Sequence, residues 1–447
     1  MTAVQPSQQE AAPSLRRIAS LAAPALVVLA AEPLYVLVDT AVVGHLGRVP
    51  LGAVAIGGVV LSVATILGNF LAYGTTARAA RLYGAGQREA AVREGVQASW
   101  LAIGFGCGFI LAAQLLAGPV AAALAGGGPG SERVAAAAEE WLRIASLGAP
   151  GILLSLAGNG WMRGVQDAAR PLRYVLGANL LSAVLCPLLV YPAGLGLIGS
   201  AIANVSAQLV LAVLFLRALR AERVPLRPAP AILLAQLGMG RDLVIRTVAF
   251  QACFLSAAAV AARFGAAALG AHHIALQLWF FCALLLDSVA IAAQSLVGAD
   301  LGAGRVRSAK GAAARVTWIG VGCGVLLGVV IGVGAGLLPR IFTADAAVLR
   351  QAEIAWPWFV GMMPLAGAVF ALDGVMIGAS DMRYMRNLML VSALGVFLPA
   401  IWLAYLADLG LAGIWAGLAV FVAARLAALL GRLATGRWAV PGVTSSR

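Results

Sequence analysis

WIGVGCGVLLGVVIGVGAGLL, the stretch from Trp318 to Leu338, carries no charged side chain. An α-helix needs about 20 apolar residues to cross the hydrocarbon of a bilayer, and this run supplies them between Arg315 and Arg340. Eleven more runs of this kind occur. The twelve are centred near residues 30, 65, 105, 152, 182, 208, 254, 284, 323, 364, 395 and 420. Of the 447 residues, 62% are apolar and only 11% charged, whereas soluble domains carry about 25% charged residues. A chain so composed cannot cover a water-facing surface. Soluble enzymes and soluble binding modules are excluded, and the fold class expected is an all-α integral membrane protein with twelve transmembrane helices.

The charges between the runs set the direction of the chain. Net charge is +13, and nearly every cation is Arg, Lys310 being the single Lys. They sit in short gaps rather than on one continuous face, which is a topology signal and not a nucleic-acid footprint. Most of the 31 Lys and Arg fall at the two ends and in the gaps after the even-numbered runs. Excess Lys and Arg mark the cytoplasmic side, so both termini are expected inside, in a multi-pass protein of the inner (plasma) membrane. The longest basic gap, with Pro225, Pro228 and Pro230, divides the runs six and six. The organisation expected is an N-terminal tail (1–15), a first lobe (16–220), a cytoplasmic linker (221–240), a second lobe (241–436) and a C-terminal tail (437–447).

Trp318 also opens the evidence for an internal repeat. It matches Trp100 at an offset of 218 residues, as Leu269-Gly270-Ala271 matches Leu51-Gly52-Ala53 and Gly302-Ala303-Gly304 matches Gly84-Ala85-Gly86. After a four-residue slip, Pro364 matches Pro150, Asp373-Gly374 matches Asn159-Gly160, and Leu409-Gly410-Leu411 matches Leu195-Gly196-Leu197. Six spans per repeat give both halves one orientation, hence two pseudo-symmetric six-helix lobes in a parallel repeat. Paired repeats of this kind usually hold a substrate site between them and alternate its access.

Ionisable groups at membrane depth are costly and mark function by default. Four acids qualify: Glu32, Asp39, Asp287 and Asp373. Asp39 shares the first run with Pro24 and Pro33, and each Pro removes a backbone donor and can bend a helix. A bendable helix with one buried carboxylate suits a protonation switch; the bland reading is a carboxylate satisfied by Thr40 or by a neighbouring helix. Glu32 lies about two turns away on the same face, a second cavity carboxylate or a structural acceptor. Through the repeat, Asp287 meets Asn69 and Asp373 meets Asn159, so the second lobe puts acids where the first puts amides. Either Asp can bind a cation, carry a proton or bond another helix. Arg263 is expected to snorkel to the interface, His272-His273 to be an interfacial pair, and the five scattered cysteines to be packing residues without metal spacing. Buried cations look scarce.

These residues in order resemble the multidrug and toxic compound extrusion (MATE) transporters, particularly their DinF-like branch. The resemblance rests on Pro33-Leu34, Val38-Asp39-Thr40-Ala41-Val42-Val43-Gly44-His45-Leu46-Gly47, Arg163-Gly164-Val165-Gln166-Asp167 and Leu286-Asp287-Ser288. Leu372-Asp373-Gly374-Val375-Met376-Ile377-Gly378-Ala379 completes it, and it runs over essentially the whole chain. It implies an exporter of varied compounds, often amphiphilic organic cations, driven by inward proton or sodium flow. It implies too that Asp39 carries the proton, that the first helix bends at Pro24, and that Asp287 and Asp373 act in the second lobe. Many relatives carry Asn and Asp in span 5 where Ser182 and Cys186 stand here, and a thiol does not replace that charge at neutral pH. The loss favours proton coupling over sodium.

The expected function is therefore secondary active efflux of organic compounds, by antiport against protons through Asp39, Glu32 and Thr40. Asn69, Asn159, Ser182, Asp287 and Asp373 are candidates for the cargo cavity. Partners are small organic cations and drugs, protons or else sodium, and the lipid bilayer, with no nucleic acid and a monomeric state. No cofactor and no metal are expected. The alternatives are a sodium-coupled drug exporter and a flippase for lipid or lipid-linked sugar. A membrane-embedded enzyme is disfavoured, since no HExxH or Gly-Lys-[Ser/Thr] motif occurs.

Overall fold

The computed structural model describes residues 13–128 and 130–443. Most of the expected N-terminal tail, and residues 444–447 of the C-terminal one, lie outside that range. Among the described residues, twelve helices are long and apolar enough to cross a membrane. They are α1 (Leu15–Gly44), α2 (Arg48–Gly84), α3 (Arg88–Ala125), α4 (Ser131–Gly164), α5 (Ala169–Val190), α6 (Gly196–Ala221), α7 (Pro230–Arg263), α8 (Ala266–Gly302), α9 (Val306–Gly336), α10 (Ala346–Gly378), α11 (Met382–Leu406) and α12 (Gly410–Thr435). No strand occurs among the described residues. In lipid a helix satisfies its own backbone polar groups, so runs of this length and composition have no other stable form.

The sequence repeat is a structural repeat. The 218 residues that separate Arg48 from Ala266 also separate Gly84 from Gly302, so α2 and α8 begin and end at equivalent positions. The second offset of 214 relates α6 to α12 in the same way at both ends. The turns agree as well. Gly47 and Gly265 reach φ of 118° and 103°, and Gln166 and Ser380 sit at 62° and 59°, in the left-handed region that non-glycine residues seldom enter. Packing repeats too: a Cβ on Gly160 would stand 2.8 Å from the Ala72 carbonyl oxygen, and one on its equivalent Gly374 would stand 2.3 Å from that of Ala290. Small residues therefore bring α4 against α2, and α10 against α8, backbone to backbone.

The chain divides into two compact units. One holds Val27–Tyr83 and Gln87–Gly240; the other holds the described residues of Met1–Leu26 and Arg241–Arg447, together with Gly84–Gly86. The division cuts α1 between Leu26 and Val27, just after Pro24. The helix itself is unbroken through both Pro24 and Pro33.

Candidate functional site

In the unit that begins at Val27, α1 packs on α5 and α6 through Val42, Leu46, Cys186, Val190 and Ala203. Tyr191 donates from its hydroxyl to the Val42 carbonyl at 2.7 Å and holds the end of α1. Asp39 thereby enters the helix contact, with 5% of its surface exposed. Its Oδ1 accepts from the Ser200 hydroxyl at 2.9 Å and from the Cys186 thiol at 3.1 Å. Ser200 is oriented in turn by the Trp141 indole, which donates to it at 3.2 Å. One turn earlier, buried Tyr35 accepts from Asn204 at 3.3 Å.

What sets Asp39 apart is what it lacks. Five acids are buried among the described residues: Asp39, Glu94, Asp242, Asp300 and Asp373. Glu94 pairs with Arg78, Asp242 with Arg386, Asp300 with Arg305, and Asp373 with both Arg246 and Arg425. Asp39 has neutral donors alone. An isolated charge in an apolar surrounding is costly until a proton or cation neutralises it, which makes this carboxylate the natural place for an ion to come and go.

The candidates from sequence do not all join it. Ser182 is buried on the same helix as Cys186, and its hydroxyl has no hydrogen-bond partner among the described residues. Thr40 is exposed and outside the hydrogen-bonded group, and Glu32 is likewise exposed two turns down α1. Asn159 is buried, its Oδ1 without a hydrogen-bond partner among the described residues, whereas Asn69 and Asp287 are half-buried. Asp373 sits in the other unit, with Oδ2 between the Arg246 and Arg425 guanidiniums at 2.5 and 2.7 Å.

Four expectations need correction. Buried cations are not scarce: Arg81, Arg163 and Arg425 are all buried. Arg246 and Arg425, which their position assigned to cytoplasmic gaps, lie within α7 and α12 because Asp373 compensates them there. His272 is not exposed; it is buried against Trp415 at 5.8 Å, and neither ring nitrogen has a hydrogen-bond partner among the described residues. Cys186 is more than packing, since it donates to Asp39. Arg263 stacks over Trp402 and Tyr405, at 4.8 and 5.1 Å from their ring centres, which gives it aromatic partners as well as a place at the helix end. Among the described residues no cluster of His, Cys, Asp and Glu has the form of a metal site.

Comparison with known proteins agrees with this architecture. The family model described as MatE matches residues 24–188 and 243–406. Protein DETOXIFICATION 44, chloroplastic, of Arabidopsis thaliana is 33% identical over 94% of this chain and 83% of its own length. DNA damage-inducible protein F of Escherichia coli (strain K12) is 32% identical over 88% of this chain and 86% of its own. The solved structure of a MATE protein in the bent conformation superposes with a TM-score of 0.85 at 21% identity, covering 94% of each chain.

Proposed function

The chain belongs to the MatE family, transporters for multidrug and toxin efflux, and from that premise we propose that it exports organic compounds against an inward flow of protons carried by Asp39. The observation that carries the reading is the contrast above: Asp39 is the one buried acid among the described residues without a cationic partner. Protonated from outside, the carboxyl becomes neutral, and its hold on Ser200 and Cys186 weakens. α1 is then free to bend at Pro24, where the backbone lacks a donor, and cargo is expelled. Loss of the proton to the cytoplasm restores the charged form and the binding state.

Protons rather than sodium fit the immediate surroundings. Hard cations take several oxygen ligands, while Asp39 is met by one thiol and one hydroxyl, both acting as donors. Amphiphilic organic cations suit a cycle in which cargo binding and protonation of Asp39 exclude one another. Asn69, Asn159, Ser182, Asp287 and Asp373 remain the residues we assign to cargo contact, with Glu32 and Thr40 as outer members of the coupling group. The protein acts as a monomer, in the bacterial pattern of an inner-membrane exporter with both termini in the cytoplasm.

Proton release in weakly buffered detergent solution tests the exchange. Ethidium added to the wild-type protein should displace protons, and Asp39→Asn should release none while still binding dye. Equal release from both proteins would overturn the assignment of Asp39.

A further inference from the structure

In the unit that contains residues 241 onward, Asp373 is one carboxylate shared by two guanidiniums. Its Oδ2 accepts from Arg246 on α7 at 2.5 Å and from Arg425 on α12 at 2.7 Å. Neither arginine forms an ion pair with another acid among the described residues. The Cys253 thiol also faces Arg425, but a thiol is ordinarily uncharged at pH 7. The group therefore carries one positive charge in excess. Arginine does not shed it, because its guanidinium stays protonated in proteins. An uncompensated charge in an apolar surrounding is costly.

Beside Arg425 lies a cavity of about 10 Å³, room for one particle close to a water in size. Aromatic and aliphatic side chains make most of its wall, Phe250, Phe254 and Phe421 among them. Of the described wall residues, only Arg425 and Trp279 have polar side chains. Both are buried, at 5% and 4% exposure. Arg425 Nε and the Trp279 indole Nε1 have no hydrogen-bond partner among the described residues, and both atoms are donors alone. A water could accept from them, but its own two hydrogens would find no side-chain acceptor in the wall. A small anion needs donors only, and it removes the excess charge as well.

We infer that this cavity is a binding site for one chloride ion, held by Arg425 and the Trp279 N–H and drawn by the excess charge of Arg246, Asp373 and Arg425. The ion ties α8, which carries Trp279, to α12, which carries Arg425. It also balances the second arginine that Asp373 leaves uncompensated. Organic anions are too large for a space of this size. The site stands apart from the transport reading, since it needs neither Asp39 nor cargo.

Binding of chloride-36 to the full-length protein in gluconate buffer, read by scintillation proximity, tests this. Wild type and Asp39→Asn should both bind chloride at one saturable site. Excess bromide should displace it, and excess gluconate, which the cavity cannot admit, should not. Trp279→Phe keeps a ring and removes the N–H, and it should bind about tenfold more weakly, as expected when a hydrogen bond to a charged group is lost. Arg246→Gln leaves the wall intact and makes Asp373 and Arg425 a neutral pair, so affinity should again fall about tenfold. Absence of saturable binding in wild type would overturn the proposal, as would unchanged affinity in either variant. Displacement by gluconate would overturn it too, by showing that the anion does not sit in so small a space. If Asp39→Asn transports normally while it still binds chloride, the transport reading fails and the chloride site stands.

Discussion

Asp39 is a carboxylate held by a thiol and a hydroxyl, and each donor makes a separate prediction. Ser200→Ala removes the 2.9 Å bond and strands the Trp141 indole as well, and hydrogen bonds to charged groups contribute about 1.5–3 kcal/mol. Thermal unfolding in detergent should show a loss of that order, together with slower efflux. Cys186→Ser keeps a donor at the same place and should stay near wild type, whereas Cys186→Ala should lose efflux severalfold. At the turn between α4 and α5, Asp167 gives an acid-sensitive contact. Burial pushes its carboxyl up, but the hydrogen bonds and charge of Arg170 more than reverse this and hold it below the usual carboxylate range. Stability from the pair is therefore present above the unfolded value, about pH 4, and is lost as pH falls below it. Comparing thermal unfolding at pH 7 and pH 3.5 should reveal a contribution of about 1 kcal/mol that Asp167→Asn lacks. Asp39 was legible in the sequence because an acid six residues after a proline in an apolar run has few bland explanations. Its partners were not, since Cys186 and Ser200 lie far along the chain and carry no charge to mark them. Arg425 reads in the sequence as one of the basic residues towards the C-terminal end, and only the fold brings Asp373 to it.

At the scale of elements, glycine decides which helices touch. α9 meets α10 through Gly320 and Gly324: a Cβ on Gly320 would stand 2.3 Å from the Gly367 carbonyl oxygen, and one on Gly324 would stand 2.3 Å from that of Met363. Without a hydrophobic drive between helices in lipid, such close approach supplies the attraction. Gly320→Val forces the two backbones apart and should cost about 1–3 kcal/mol, read as a lower unfolding temperature in detergent. Gly322→Val meets open space and should leave that temperature unchanged. The repeat could be read from the chain by matched offsets, but which glycines meet across helices could not. The continuity of α1 through Pro24 and Pro33 could not, because a proline allows a bend without dictating when it forms.

For the whole molecule, two units built on one plan hold unlike chemistry. Asp373, in the second, is neutralised in place by two arginines, and the position equivalent to it in the first is the uncharged Asn159. Asp39 has no acidic counterpart at all: the 218-residue offset puts Ala257 at its place. Symmetric folding with asymmetric charge leaves Asp39 the one buried carboxylate among the described residues without a cationic partner, and the central claim is that it couples transport to protons. The direct measurement uses protein in liposomes loaded with ethidium, given first a pH gradient and then a sodium gradient. Our account predicts dye movement that follows the pH gradient alone and falls at least tenfold in Asp39→Asn. Movement driven by sodium, or undiminished transport by Asp39→Asn, would contradict it.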